Sequence, residues 1–114
     1  MAGTDIVGPF EEMVLLALVR LGGETYGVPA REDIERRVGR EIAMGAVYAT
    51  LDRLSEKGYV ASRSGDPDPV RGGRPRRYFR IEAAGVEALR RARTVRDTLW
   101  DGIQLPDTSG EVGG

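Results

Sequence analysis

The spacing of apolar residues predicts four helices, with two short strands between the third and the fourth. A glycine–proline pair at 8–9 opens the first helix, and a glycine pair at 22–23 ends it. The apolar residues of this helix cover most of its circumference, which is typical of a helix packed on two sides. One side belongs to its own domain, and the other could meet a second subunit. The second helix, residues 27–38, ends at Gly39, and its inward residues are expected to be Val28, Ile34 and Val38.

The third helix runs up to Gly58 and carries two rows of different character. The row with the spacing of buried residues contains Met44, Val47, Tyr48, Leu51 and Leu54. The opposite row contains Ala46, Ala49, Thr50, Arg53 and Lys57. Small residues early on this outward row would let the helix enter the major groove of DNA, and the two later cations suit phosphates.

The side chains of the third helix differ in what they could contact. Thr50 and Arg53 have the reach for base edges or phosphates, whereas Ala46 and Ala49 could offer only apolar contact, for example to thymine methyl groups. Tyr48 has two interpretations. Its spacing is that of a core residue, yet its hydroxyl could emerge at the edge and bond a phosphate. The alternative for the whole outward row is that it is merely solvated and makes no contact with DNA.

Residues 59–64 and 76–81 alternate as two short strands, with Phe79 and Ile81 on the core face. The segment between them, GDPDPVRGGRP, is turn-forming, and Gly72 and Gly73 would let the backbone approach a sugar-phosphate chain closely. A helix-turn-helix followed by such a hairpin is a winged helix-turn-helix, in which the loop is the wing. The predicted fold class is therefore mainly α with a small β-hairpin, an α+β domain over residues 8–81.

From residue 82 to 103 the helical period returns and predicts a carboxy-terminal helix. One stripe of this helix contains Ala88, Ala92, Val95, Leu99 and Ile103. A helix of this length that projects past a small core needs a partner for its stripe, which favours a dimerisation helix. Residues 104–114 are polar, glycine-rich and acidic, and we interpret them as a tail without fixed structure.

Charge is unevenly distributed along the chain. The net charge is −1, but residues 63–80 hold six arginines against two aspartates, a local net charge of +4. The patch, and not the average, is what a phosphate backbone would meet. A solvated hairpin with ordinary surface arginines is the alternative, which the helix directly before it makes less attractive.

The residues that are absent narrow the possible functions. The chain contains no cysteine and no histidine, so there is no disulfide framework or thiolate metal site, and the commonest general base is missing. We expect no catalytic residues, no metal and no cofactor. The apolar run at 13–21 is too short to span a bilayer and lacks the cationic flank of a signal peptide. A cytoplasmic protein without a membrane partner is expected.

Four motifs in order carry a resemblance to a known family. They are TYG at 25–27, GAVYATLDRLSEKGYV at 45–60, RGGRPRRYFRI at 71–81 and AAGVEAL at 83–89. Together they resemble the PadR family of bacterial transcriptional regulators, over most of the chain from Phe10 to Trp100. Because there is a single carboxy-terminal helix, the chain is similar to the short members of that family.

The resemblance implies a homodimeric winged-helix repressor that binds double-stranded DNA at a palindromic operator near a promoter. It assigns DNA contact to the third helix around 48–53 and to the wing, with Arg71, Gly72, Gly73, Arg74, Arg76 and Arg77. It also implies a dimer interface built from the first and last helices, which we expect at Met13, Leu16, Ala92, Val95, Leu99 and Ile103.

A small-molecule effector is a further implication of the resemblance. Some short members bind planar drugs between their carboxy-terminal helices through a tryptophan, and Trp100 stands on the corresponding helix here. Arg93 and Arg96 beside it would favour an anionic or neutral planar ligand over a cationic one. The alternative for Trp100 is simple dimer packing.

The chain departs from the family pattern at two helix starts. Ala43 stands where members often carry Ser or Thr before the third helix, which removes a cap worth about 1 kcal/mol. Glu82 replaces a Thr before the last helix, where its charge still suits the amino end. A rival to the regulator interpretation is a winged-helix protein-interaction module without an operator of its own.

Overall fold

The computed structural model describes residues 6–67 and 69–108. Parts of the expected lead-in and tail, and Asp68 in the wing, lie outside the described residues. The elements in chain order are α1 (Pro9–Arg20), β1 (Glu24–Thr25), α2 (Gly27–Val38), α3 (Met44–Glu56), β2 (Val60–Ser64), a 3₁₀ turn (Pro69–Arg71), β3 (Arg77–Ile81) and α4 (Ala83–Trp100). This is the predicted α+β winged-helix fold.

The helix boundaries follow the predicted signals. Pro9 occupies the first turn of α1, and the Glu11 carboxylate accepts a hydrogen bond from the Gly8 N–H at 2.9 Å. Gly39 and Gly58 adopt φ values of 74° and 80° after α2 and α3. Glycine reaches this left-handed region without a steric penalty, which is why both helices end where they do.

The core lies where α1, α2 and α3 meet the sheet. Its largest fully buried apolar side chains are Val14, Leu15, Leu18, Ile34, Val47, Leu51, Leu54 and Phe79. The expectation that Val28 and Val38 of α2 point inward is wrong, because they are 41% and 38% exposed. The buried face of α2 instead carries Asp33, which is 5% exposed and is hydrogen-bonded to Arg20 of α1.

The sheet has three strands, one more than predicted. Its order is β1-β3-β2 and both pairings are antiparallel, with Phe79 opposite Thr25 on one side and Ser62 on the other. Two residues, Glu24–Thr25, are too few to show a period of two, so β1 left no pattern to detect. The strand closes the sheet edge next to α1, where the Ile81 N–H also donates to the Gly23 carbonyl at 2.9 Å.

α4 begins as predicted but ends at Trp100, three residues before the predicted limit. Gly102 turns the chain with φ 76°, and the Ile103 N–H bonds the Trp100 carbonyl at 2.9 Å. Ile103 therefore does not continue the helical stripe of Val95 and Leu99, because the glycine redirects the backbone before it. Within the described ranges, no helix is both long and apolar enough to cross a membrane.

Candidate nucleic-acid interface

The exposed face of α3 is rotated from the predicted row. Its exposed residues are Gly45, Ala46, Ala49, Asp52, Arg53 and Glu56. The expectation that Thr50 faces outward is wrong, because Thr50 is 2% exposed and its Oγ1 accepts a hydrogen bond from Arg53 Nη2 at 3.1 Å. The reason is that α1 packs on that side of α3, and a threonine in the interface can be satisfied locally.

The two cations of the predicted row contact a carboxylate that the sequence did not reveal. Lys57 Nζ lies 3.0 Å from Glu11 Oε2, and Arg53 Nε lies 3.5 Å from the same oxygen. Burial raises the pKa of Glu11, but the Gly8 N–H and Lys57 outweigh burial and leave that pKa below its ordinary value. Because the two cations are partly neutralised by Glu11, their predicted phosphate contacts would require exchange of this pair.

Tyr48 lies at the edge of the core, which agrees with its core-like spacing, and its phosphate contact stays a prediction. Its ring is half-buried, tilted against Phe79 with centroids 6.4 Å apart, and its hydroxyl end lies over Gly27. A Cβ at Gly27 would come within 2.6 Å of the tyrosine oxygen, so this close approach requires glycine. Tyr48 also lines an open cleft of about 450 Å³ between α3 and the wing, together with Val28, Met44, Arg71, Arg74, Pro75 and Arg77.

The tip of the wing is built around Arg71. The 3₁₀ turn leads into Gly72 and Gly73, whose φ values of 68° and 85° reverse the chain. The Arg71 carbonyl then accepts hydrogen bonds from the Arg74 N–H at 3.4 Å and the Arg74 Nε at 2.9 Å. This leaves Gly72, Gly73 and the outer part of Arg74 exposed at the tip, as the prediction of a phosphate-facing loop requires.

The base of the wing uses its arginines differently. Arg76 stacks over the Tyr26 ring at 4.5 Å, and Arg63 stacks over the Tyr78 ring at 4.5 Å. The two rings meet edge to face with centroids 5.6 Å apart. These contacts attach the wing to the start of α2, so Arg76, which was predicted to bind DNA, faces the protein and is only half-exposed.

Two ion pairs complete the base of the wing. Arg63 forms a two-pronged contact with Glu24 of β1 at 2.9 and 3.1 Å, and the hydrogen bonds from Arg63 lower the pKa of Glu24. Arg77 Nη2 donates to Asp52 of α3 at 3.1 Å, while its guanidinium lies 4.8 Å from the Phe79 centroid. The second pair sets the wing directly against the exposed face of α3.

An apolar groove separates α1 from α4 at the far side of the domain. Its volume is about 510 Å³ and its lining includes the predicted interface residues Met13, Leu16, Ala92, Val95 and Leu99. Ala92 is 3% exposed and already packs within its own chain, so it forms the floor of the groove. Arg96 Nη1 donates to Glu12 Oε1 of α1 at 2.7 Å across the groove. This contact directs the Arg96 side chain towards α1.

Trp100 lies at the end of α4 and is 55% exposed. Arg96, which was expected to stand beside a ligand, is held by Glu12, one helical turn closer to the core. The described residues contain no group of three or more Asp, Glu, His or Cys side chains that could hold a metal ion.

Residues 15–91 match the family model described as the transcriptional regulator PadR-like family. The chain belongs to the PadR-like family. This confirms the resemblance carried by the four motifs. PadR-family proteins are transcriptional regulators that bind DNA, and they are not enzymes. No protein of curated function matches the chain.

Solved structures agree with the family assignment. A PadR family regulator from Eggerthella lenta is 28% identical, with a TM-score of 0.63, over 79% of this chain and 76% of that one. Bacillus subtilis PadR in complex with operator DNA is 17% identical, with a TM-score of 0.61, over 87% of this chain and 51% of that one. F93 from STIV, a winged-helix DNA-binding protein, is 15% identical, with a TM-score of 0.65, over 88% of this chain and 100% of that one. The last two likenesses concern the fold alone.

Proposed function

We propose that this PadR-family protein is a sequence-specific regulator that binds a palindromic operator as a homodimer and represses transcription. The observation that carries the proposal is the cleft between α3 and the wing. The cleft is lined by Tyr48 on one side and by Arg71, Arg74 and Arg77 on the other. A phosphate backbone fits such a cleft, because arginine binds phosphate oxygens with several donors and a tyrosine hydroxyl can add one more.

The proposed binding mode follows from the two sides of the cleft. α3 enters the major groove with Ala46 and Ala49 foremost, since these residues are exposed and small. The wing lies over the flanking backbone, where Gly72 and Gly73 allow close approach. Arg53 and Lys57 are the remaining candidates for phosphate contact, in exchange for their pairing with Glu11.

The groove between α1 and α4 supports the homodimer. Leu16 and Leu99 beside it are 38% and 71% exposed, and Trp100 at the end of α4 is 55% exposed. Exposed apolar side chains grouped along one groove mark a candidate interaction site. A second copy would bury it by pairing α1 and α4 with their symmetry mates, and would set two copies of α3 roughly 34 Å apart, one turn of B-DNA.

Repression requires only that the dimer occupy DNA that the polymerase needs. We propose action in the cytoplasm, where a bacterial chromosome lies. A planar, anionic or neutral effector near Trp100 could release the DNA by changing the pairing of the two α4 helices. Because Trp100 is the single tryptophan, titration with phenolic acids or planar dyes should quench its fluorescence. Unchanged fluorescence at saturating concentrations would contradict the effector proposal.

The test of DNA binding is a titration of the purified protein against its own promoter region, with an unrelated duplex of equal length as competitor. We expect a specific complex whose log affinity falls with log salt at a slope of about −7, if the dimer neutralises about 8 phosphates. A protein that fails to retard any fragment at low salt would instead support the rival, an interaction module without an operator.

A further inference from the structure

The foremost surface of α3 has no hydrogen-bonding side chain. Gly45, Ala46 and Ala49 are all exposed and share the amino-terminal half of the helix. Apart from its chain neighbours and the adjacent helix backbone, no described atom lies within 4 Å of the position that a Cβ on Gly45 would occupy, so the space beside it is open. We call these three residues the apolar platform. The side-chain groups that it offers to a groove floor are the methyl groups of Ala46 and Ala49.

Three polar side chains of α3 near the platform already have partners within the protein. Thr50 is buried beside Arg53, and Arg53 itself lies against Glu11. Asp52 accepts a hydrogen bond from Arg77 of the wing at 3.1 Å. Glu56 lies in the last turn of α3, far along the helix from the platform. Base readout by bidentate hydrogen bonds, the usual means of a recognition helix, would therefore require one of these contacts to break.

The major groove offers one apolar group, the 5-methyl of thymine. We propose that α3 recognises its operator through 5-methyl groups placed against Ala46 and Ala49. Since the alanine methyl groups cannot distinguish the thymine O4 from the cytosine N4, 5-methylcytosine should be accepted in place of thymine. This inference rests on the proposed function and names the chemistry by which the same site would select its sequence.

The consequence is a regulator whose operator affinity responds to cytosine methylation. Methylation of a cytosine opposite the platform would strengthen binding, whereas in a site read by hydrogen bonds the added methyl would not create a thymine equivalent. Removal of one buried methyl group lowers affinity by about fourfold. In a two-fold operator each substitution occurs twice, so the effect approaches about 15-fold for the dimer.

The experiment compares four bases at the same operator position. The full chain first selects its operator from a random-sequence duplex library. Each thymine in the protected half-sites is then replaced symmetrically by uracil, cytosine or 5-methylcytosine, with the matching partner base. At one or more positions we expect thymine and 5-methylcytosine to bind alike, and uracil and cytosine to bind more weakly by the factor above.

Two outcomes would overturn the inference alone. In the first, the protein binds thymine and uracil operators with equal affinity and both cytosine operators with a different affinity. That result would indicate hydrogen-bonded readout of the O4 atom. All four bases could bind alike at every thymine, which would mean that the platform touches no methyl group. Failure to select any sequence at all would count against the proposed function, and the inference would fall with it.

A pair of variants locates the effect on α3. Ala49→Gly should reduce the preference for thymine over uracil, measured as the ratio of the two affinities for the same variant. Ala84→Gly, at an exposed alanine of α4, also introduces glycine into a helix and should keep the full preference. Equal preference in Ala49→Gly and the unaltered protein, together with Ala46→Gly giving the same result, would exclude the platform as the reader.

Discussion

At the scale of single residues, buried charge is the feature that ties this small domain together. Asp33 is 5% exposed, yet both of its carboxylate oxygens accept hydrogen bonds from Arg20, at 3.1 and 2.9 Å from Nε. The Arg20 hydrogen bonds lower the pKa of Asp33 below its usual 3.8, despite the opposing effect of burial. The carboxylate therefore stays ionised and joins α1 to α2.

We predict that Asp33→Asn lowers the free energy of unfolding at pH 7 by about 2 kcal/mol, because Arg20 loses its charged partner while retaining part of its solvent exposure. Since the folded-state pKa of Asp33 lies below the unfolded value, its stabilisation is complete well above pH 3.8. It is lost as the pH falls through the folded-state pKa. Urea unfolding between about pH 7 and pH 3 measures both effects.

Glu32→Gln is the matched control for Asp33, because the neighbouring carboxylate is exposed. It should leave the pH dependence of unfolding as it is. An Asp33→Asn protein that loses stability towards acid as steeply as the unaltered protein would contradict the assignment.

A second residue-scale contact compensates for the missing cap of α3. Ala43 precedes the helix and makes no side-chain cap hydrogen bond, as its sequence predicts. The Ile42 N–H instead donates to the Glu35 carboxylate of α2 at 2.8 Å. The turn of the helix-turn-helix is thus held by a side chain seven residues earlier, which keeps α3 anchored without a serine or threonine.

At the scale of elements, α4 depends on a close approach to the end of α3. A Cβ on Gly85 would clash with the Tyr59 carbonyl oxygen, which is backbone and cannot move aside cheaply. The Glu82 N–H donates to the same carbonyl at 2.9 Å. Main-chain contact with Tyr59 therefore positions the start of α4 and sets the direction in which the helix leaves the domain.

Gly85→Ala should destabilise the protein by about 1–3 kcal/mol, because the added methyl must displace α4 from the Tyr59 carbonyl. Gly45→Ala is the control, since the space around Gly45 is open and alanine is favoured in a helix by about 0.5–1 kcal/mol. Thermal unfolding followed by circular dichroism measures both. Equal changes in stability for the two substitutions would show that helix propensity, and not the close approach to Tyr59, determines the effect of Gly85→Ala.

The wing is an element with two kinds of arginine. Arg74 lies exposed at the tip, whereas Arg76 stacks on Tyr26 at the base. The sequence alone treats them as equivalent cations in one basic run. The structure separates a residue that can meet phosphate from a residue that holds the wing in place.

Arg74→Ala should therefore weaken binding to all DNA sequences by a similar factor and reduce the salt slope by about 1 for each phosphate that the arginine neutralises. Arg76→Ala should instead lower the unfolding free energy by about 0.5–1 kcal/mol through loss of the stacked cation, with the salt slope nearly unchanged. Anisotropy titrations at several salt concentrations, with unfolding measured in parallel, separate the two. An equal reduction of the salt slope in both variants would contradict this division.

At the scale of the whole molecule, the fold is elongated, with extents of 60 × 35 × 21 Å. The cleft between α3 and the wing and the groove between α1 and α4 share no lining residue. α1 contributes to both sides: Glu11 meets Lys57 of the recognition region, and Glu12 meets Arg96 of α4. The spacing of the two DNA-reading helices in the proposed dimer therefore depends on how α1 and α4 pair.

If the proposed dimer forms, we predict that Leu99→Glu raises its dissociation constant by about tenfold or more, because a charge replaces an apolar side chain in the proposed interface. The monomer should keep its fold, since Leu99 is 71% exposed within the chain. The DNA affinity of the variant should also fall, because fewer molecules are dimeric. Sedimentation equilibrium measures the association directly.

Leu105→Glu serves as the control, because Leu105 is 65% exposed beyond the end of α4. It should leave the association constant unchanged. A Leu99→Glu protein as dimeric as the unaltered one would show that the groove faces another partner.

The sequence by itself determined the limits of α1 and α2, the end of α3, the hairpin, the core residue Phe79 and the family, because these depend on short-range periodicity and on glycine and proline at defined positions. It placed the end of α4 three residues too late. It could not reveal β1, which is too short for a pattern, or the contacts of Glu11 and Asp33, whose partners lie far along the chain. Thr50 was misplaced because helical spacing gives the relative order of faces, while packing of α1 decides which face is covered. Tertiary structure thus decided which polar groups of α3 remain for DNA, since that depends on neighbours brought together only by folding.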